Sequence, residues 1–426
     1  MSDEYYRKEF FVEVILKPGY TIVNSKGLHS ALIQVGFLAG SRFDEKGEGS
    51  LSHLTEHLFV ISLESASSSL DHAFKVLSEI DGQTNRELLY GYIKTTPSHM
   101  PQAIDRMMRS IYRNSLSTST FENEKETILG AALQNEHNQD PYDLVFAKTF
   151  ELIFSSHPLG HPEVGTSEAA QAITVEGCIQ HFQTWFREGR KYVVIACDLD
   201  QIHLDSILKP WETILSETGS IHSVCSVNPN GSVHSASSSF PFPTPKPQTL
   251  SLNKDAGTVE MTFSVPIPKT QKVPFWLMDF VNYVLGKPPN SLLFKLIREK
   301  YALAYDTRSL CFHYTDGSLF IIYAGVTNPK NQTQATERIE ELVTHLSTYL
   351  NEEQLTLYKQ AYVEQYWMNS DHLVNFSRSL ISTALTQTPM HPNDLLTNIQ
   401  SITLRDIENF VSTYLHPSHF ARVIIS

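Results

Sequence analysis

The chain has 426 residues, of which 41% are hydrophobic and 19% charged, so it holds enough apolar material for a large core and is not a disordered chain. Lys and Arg total 33 against 46 Asp and Glu, a net charge of −13, which excludes a nucleic-acid binder working by bulk charge. The four cysteines, Cys178, Cys197, Cys225 and Cys311, are dispersed and form no C-x-x-C, so neither a disulfide scaffold nor a cysteine zinc knuckle is expected, and a reducing compartment fits.

Along the chain, Met1–Tyr6 is acidic and polar, with no basic stretch leading into an apolar one, so no signal peptide is expected. No apolar run reaches the roughly 18 residues needed to span a bilayer. The expectation is a soluble, cytoplasmic protein with no integral membrane segment. Ser30–Gly36 reads as a strand, and the turn-rich Asp44–Gly49 leads into a helix. Leu88–Ile93 reads as a strand followed by a helix over Ser98–Tyr112. Ile173-Thr174 opens a helix that leads into the strand Tyr192–Ile195. From Glu217 to Gln248 the chain is rich in Ser, Pro and Gly and reads as an extended linker. Beyond it, Val259–Val265 alternates apolar and polar residues, which predicts a strand with one buried and one wet face. Leu319–Tyr323 is then a strand followed by a helix over Gln332–Leu350, and Ile402-Thr403 opens a helix that leads into Arg422–Ile425.

These features recur in one order at an offset of roughly 230 residues, which favours two copies of one unit. The expected fold is α+β, with two homologous α/β units, 1–216 and 249–426, joined by the 217–248 linker. Each is an antiparallel or mixed sheet with helices packed on one face.

The chemistry lies in Ser50-Leu51-Ser52-His53-Leu54-Thr55-Glu56-His57. On a helix, His53 and His57 leave the same face one turn apart, within reach of one cation. Glu56 shares that face, where a carboxylate beside a metal-activated water takes its proton. The pattern H-x-x-E-H is the inverted form of the zinc-peptidase H-E-x-x-H. A structural His pair on an amphipathic helix is the alternative. Taken alone, Arg298 reads as part of a solvated helix end and Tyr305 as a core aromatic.

In these residues and several others the chain resembles the pitrilysin/insulinase family of metallopeptidases, over nearly its whole length. It looks most similar to the small bacterial, processing-peptidase-like members. Leu38-Ala39-Gly40-Ser41-Arg42, Asp140–Phe146 and His157-Pro158-Leu159-Gly160-His161-Pro162-Glu163-Val164-Gly165-Thr166 match segments of the family pattern, as does Ser291–Tyr305 with its Arg298 and Tyr305. The resemblance implies a zinc endopeptidase with one Zn2+ per chain, held by His53 and His57, and Glu56 as the base. Arg298 and Tyr305 would bind substrate and stabilise the oxyanion, completing the site when the halves close over a peptide. It also implies clamshells, so a homo- or hetero-oligomer with a similar chain is expected. Maturation of a subtilosin-type bacteriocin precursor is one substrate it brings to mind.

Two departures stand out. The family's third ligand, a Glu, falls on Ala131, Ala132, Leu133 or Gln134, none a good zinc ligand. Glu136, about one helical turn on, is the expected replacement. Glu124 or Glu126, His137, or no third ligand are the alternatives, and the upstream Glu of the family is an outer partner of the site rather than a ligand. Asp81-Gly82-Gln83-Thr84 stands where the family has Asn-Ala-x-Thr, and no role is carried over for Asp81. The competing function is a non-catalytic, peptide-binding partner subunit, which the missing Glu favours and the retained His53, Glu56, His57, Arg298 and Tyr305 oppose.

Overall fold

The computed structural model describes residues 12–17, 19–44, 49–64, 69–112, 117–204, 207–209, 240–254 and 257–426. Met1–Tyr6 and residues 217–239 of the expected linker lie outside the described residues. The first half runs β1 (Val12–Lys17), β2 (Tyr20–Ser25), β3 (Ala31–Phe37), α1 (Leu51–Glu64), α2 (Ser69–Leu77), β4 (Glu79–Thr84) and β5 (Leu89–Thr95). It continues with α3 (Met100–Tyr112), α4 (Thr118–His137), α5 (Pro141–Ile153), α6 (Ser167–Ala172), α7 (Val175–His181) and β6 (Lys191–Cys197). The second half runs β7 (Gln248–Leu252), β8 (Val259–Pro268), α8 (Phe275–Gly286), β9 (Ala304–His313), β10 (Gly317–Val326) and α9 (Gln332–Thr344). After these come α10 (Glu352–Ser370), α11 (Leu373–Thr386), α12 (Pro392–Ser401), α13 (Leu404–Tyr414) and β11 (Ala421–Ile425). No helix among the described residues is long and apolar enough to cross a membrane.

The internal repeat is visible in the sheets. The first is ordered β1-β2-β6-β3-β5-β4 and the second β7-β11-β8-β10-β9. After the extra β1, each begins with a parallel pair, β2 with β6 and β7 with β11, and continues antiparallel. The strand closing each sheet returns to its centre from a helix with a threonine at its N-cap, Thr174 for α7 and Thr403 for α13. Each hydroxyl accepts a backbone N–H that has no partner within the helix.

In the first unit, Ile33, Val35, Phe37, Leu89, Ile93, Val193 and Ile195 pack one sheet face against Phe59 and Leu63 of α1 and Ile104 and Met107 of α3. In the second, Met261, Phe263, Val265, Phe320 and Ile322 do the same against α8, α9 and α13. These helices thus lie on one face of their own half's sheet.

The opposite faces are covered by exchanged helices, which the division at 217–248 did not anticipate. Helix α11, from the second half, belongs to the first unit, and α5, from the first half, belongs to the second. Phe376, Leu380, Ile381 and Leu385 of α11 cover Leu32, Tyr90, Tyr92 and Val194. Phe150, Ile153 and Phe154 of α5 and its C-terminal turn cover Leu319, Ile321 and Ala421. Each such side chain contributes about 1.5–3 kcal/mol relative to exposure.

This exchange corrects the wet face expected for 259–265, because every residue of β8 is buried. Two of its polar positions keep hydrogen bonds: Thr262 Oγ1 meets Thr149 Oγ1 of α5 at 2.6 Å, and Glu260 Oε2 accepts from the Tyr323 hydroxyl at 2.6 Å, while Ser264 Oγ is buried without a partner among the described residues. Burial is tolerated where a partner replaces water.

Candidate active site

Helix α1 begins where three segments meet. Gly49 has φ +81°, a left-handed conformation suited to glycine. A Cβ there would lie 2.4 Å from Pro162 O and 2.7 Å from Gly165 Cα. Ser50 Oγ donates to the Val164 and Thr166 carbonyls, both at 3.2 Å. The Asp44 carboxylate accepts from Ser52 N at 3.0 Å and from Ser52 Oγ, with His181 Nε2 3.5 Å from the same oxygen. An anion at a helix N-terminus satisfies free N–H groups and complements the dipole. Arg42, on the segment before α1, is buried in an ion pair with Glu87. The glycine-rich 160–166 loop and the Gly40-Ser41-Arg42 segment therefore act as the mount for α1.

On α1, His53, Glu56 and His57 each offer a donor atom within 4.8 Å of the other two. The two imidazoles sit edge to face with centroids 4.9 Å apart. His53 Nδ1 is buried and has no hydrogen-bond partner among the described residues. Burial first, and the charge of His57 second, hold the His53 imidazole down at about 4, so it stays neutral at neutral pH with a lone pair to donate. His57 Nδ1 lies 2.9 Å from Glu124 Oε2, which leaves Nε2 free. A carboxylate on one ring nitrogen fixes the tautomer and makes the other a better ligand.

Glu56 is buried against β4. Its Oε2 accepts from Thr84 Oγ1 at 3.3 Å, and its Oε1 would lie 2.4 Å from a Cβ on Gly82. Burial pushes its carboxyl up to about 7; His57 and Thr84 pull it down and Asp81 pushes it further up. A carboxyl poised near neutrality suits proton uptake and return. The unpartnered His53 ring and the oriented His57 offer two nitrogen donors that fit zinc, with the Glu56 carboxylate beside them.

Glu136 does not join this group. Its two carboxylate oxygens accept from Ser167 N at 2.7 Å and Ser167 Oγ at 2.9 Å, at the start of α6. The one-turn shift of a ligand therefore fails, because the end of α4 faces α6 rather than α1. Among the described residues Glu124 is the α4 carboxylate hydrogen-bonded to the histidine pair, while Glu126 and His137 are exposed. Glu124, Ile128 and the Ala131–Ala132 pair line up along α4, so the alanines stand two turns beyond Glu124 on the face toward α1. Arg298 and Tyr305 are brought together in the second unit. The Arg298 guanidinium lies over the Tyr305 ring, 4.5 Å from its centroid, and over Phe294 at 4.9 Å. Tyr305 is 70% exposed, contrary to its reading as a core aromatic.

Comparison with known proteins places the chain in a family. Residues 20–167 match the family model described as insulinase (peptidase family M16), and residues 172–362 match that of the peptidase M16 inactive domain. The chain belongs to the pitrilysin/insulinase family, M16. Among M16 relatives, it is 23% identical over 353 residues to a protein of Rickettsia felis named an uncharacterized zinc protease, covering 82% of this chain and 81% of that one. It is 25% identical over 182 residues to a probable mitochondrial-processing peptidase subunit beta of Schizosaccharomyces pombe, covering 42% of this chain and 39% of that one. In fold it resembles a peptidase M16 inactive domain from Pseudomonas fluorescens, with a TM-score of 0.75, 13% identity and 97% of each chain covered. It also resembles a protease from Helicobacter pylori, with a TM-score of 0.72, 16% identity and coverage of 97% of this chain and 99% of that one. The H-x-x-E-H helix lies in the part matching the insulinase model, and Arg298 and Tyr305 in the part matching the inactive-domain model.

Proposed function

We propose that this M16 chain is a zinc-dependent endopeptidase acting on peptides. The observation that supports it best is the convergence of half-buried His53 and His57 with buried Glu56, where one ring lacks a protein partner among the described residues. His53 and His57 would hold the zinc, with Glu124 orienting His57 rather than replacing the ligand lost at 131–134. Zinc, when bound, acidifies a water and polarises the scissile carbonyl. Glu56 takes the proton of the attacking water and returns it to the leaving amine. Thr84 and Gly82 hold its carboxylate in place, one by a hydrogen bond and the other by leaving room. Tyr305 and Arg298 are assigned to the substrate, their O–H and guanidinium suited to a developing oxyanion and a peptide carbonyl. The first unit carries the metal helix and the second the Arg/Tyr pair.

The reading stops at peptides, since no residue of the site selects a bacteriocin precursor over others. It includes a reducing, cytoplasmic setting, in keeping with the free thiols Cys178, Cys197 and Cys311, and assembly with a like or similar chain. A second reading, a peptide-binding partner without activity, is favoured by the engagement of Glu136 with Ser167 and by the alanines at 131 and 132. Metal content of the purified protein, with hydrolysis of a quenched fluorescent peptide before chelation, after it and after zinc is restored, decides between them. Stoichiometric zinc with zinc-restored turnover supports the enzyme. Peptide binding without zinc or turnover supports the partner.

A further inference from the structure

The second unit has its own cluster of metal-ligating side chains. Asp279 of α8 and Cys311 and His313 of β9 each offer a donor atom within 4.8 Å of the other two. We propose that Asp279, Cys311 and His313 form a second transition-metal site, selective for zinc-like cations that accept a thiolate, an imidazole and a carboxylate.

Several independent features support this. Cys311 and His313 are two apart on a strand, so their side chains leave the same face. Asp279 comes from the helix packed on that face. His313 Nδ1 is tied to Ser318 Oγ at 2.9 Å, and Nε2 faces Asp279 Oδ1 at 3.0 Å. One ring nitrogen anchored to a hydroxyl and the other turned to the donors is how a ligating imidazole is oriented. Phe275, one turn before Asp279, stands edge-on to the His313 ring with centroids 6.1 Å apart and walls one side. The Asp279 and His313 side chains are 35% and 14% exposed, so solvent reaches the carboxylate and leaves a fourth position for water. Tetrahedral zinc, with bonds of about 2.0–2.3 Å, holds its donors roughly 3.3–3.6 Å apart, so small side-chain rotations close the cluster. The frame is stiff: Ser309 Oγ donates to Asn282 O at 3.0 Å, and a Cβ on Gly286 would lie 2.1 Å from Ser309 N. Thiolate and aspartate neutralise a divalent cation, so the bound site carries no net charge.

Topology adds a further argument. β9 occupies the edge of the second sheet and α8 follows its β8, as β4 occupies the edge of the first sheet and α1 follows its β3. The cluster therefore occupies, in the second copy of the unit, the helix-and-edge-strand corner where the first copy carries His53, Glu56 and His57.

The test is titration of the full-length, metal-free protein with Co2+. A thiolate ligand gives a sulfur-to-cobalt charge-transfer band in the near ultraviolet, which the first site, without a cysteine, does not produce. This separates the proposal from the peptidase reading. The expected result is a saturable band that zinc abolishes, that Cys311→Ser removes and that Glu56→Gln leaves intact. Asp279→Asn, nearly the same in shape, weakens cobalt binding by about tenfold or more, and Ser318→Ala by about tenfold. No band in the wild-type protein, a band that survives Cys311→Ser, or unchanged affinity in Asp279→Asn overturns the site.

Discussion

The two units place similar scaffolds around different chemistry. At the α1–β4 corner the donors sit within one helical turn, and the strand contributes Thr84 and Asp81 as neighbours of Glu56. At the α8–β9 corner the helix contributes one donor, Asp279, and the strand the other two. The helices differ accordingly. Ser52, Thr55 and Glu56 are buried polar residues of α1, whereas the buried face of α8 is mostly apolar: Met278, Phe280, Val281, Val284 and Leu285. A helix that buries polar groups gives up apolar contact, and such residues persist where they serve chemistry. One sheet architecture thus carries a helix with a polar buried face at one corner and a helix with a mostly apolar one at the other.

The largest expected effect sharpens that contrast. Glu56→Gln removes the base while leaving both imidazoles in place. Peptide hydrolysis should fall by about 10²–10⁴-fold or more, with zinc stoichiometry unchanged by elemental analysis. Turnover at the wild-type rate would refute the role of Glu56. Loss of zinc with loss of turnover would instead make Glu56 a ligand.

The next effect separates the carboxylates of α4. Glu124→Ala frees His57 Nδ1 and should weaken zinc binding about 10–100-fold, read by competition with a chromogenic chelator. Glu136→Gln should leave affinity unchanged, because that side chain is occupied by Ser167. The reverse pattern, with Glu136 dominant, would restore Glu136 as the ligand.

The same contrast explains what was legible beforehand. His53, Glu56 and His57 were readable because a helix converts a spacing of three or four residues into proximity. Arg298 and Tyr305 came from resemblance, and their ring-over-guanidinium contact spans the π-helical turn Phe294–Lys300 and the start of β9. The Asp279–Cys311–His313 cluster was missed because helix-to-strand packing brings Asp279 to the other two. The short Cys311–His313 spacing was the signal available. Glu136 was mistaken because residues one turn apart share a helix face only approximately, and here the α6 N-terminus captures the carboxylate. The wet face assigned to Val259–Val265 was mistaken because alternation records polarity and not burial. Thr149 on the exchanged α5 hydrogen-bonds the polar position Thr262, and that exchange has no local signature.

Two glycine substitutions probe the corners as scaffolds. Gly286 lies at the end of α8, where a new methyl group meets Ser309 N at 2.1 Å and Arg308 C at 2.6 Å. Both are backbone atoms of a paired strand, so the helix must shift. Gly286→Ala should cost about 1–3 kcal/mol, measured by chemical denaturation, and should loosen the α8–β9 frame. An undiminished midpoint would show that α8 is not pressed against the strand.

Gly82→Ala, at the corresponding edge strand of the first unit, should affect stability least and report on the site most directly. Its methyl meets Glu56 Oε1 at 2.4 Å and Val60 Cγ2 at 2.8 Å. These are side-chain atoms, one of them the end of a flexible carboxylate that can swing away, so the cost should stay below about 1 kcal/mol. Swinging Glu56 away strains its 3.3 Å bond from Thr84 and moves the base from its position beside the histidines. Peptide turnover should therefore fall while zinc content and the denaturation midpoint hold nearly steady. Wild-type turnover in Gly82→Ala would mean that the Glu56 carboxylate does not need its seat on β4. A large loss of stability would mean that the α1–β4 corner is packed as tightly as α8 on β9, erasing the difference in packing between the two corners.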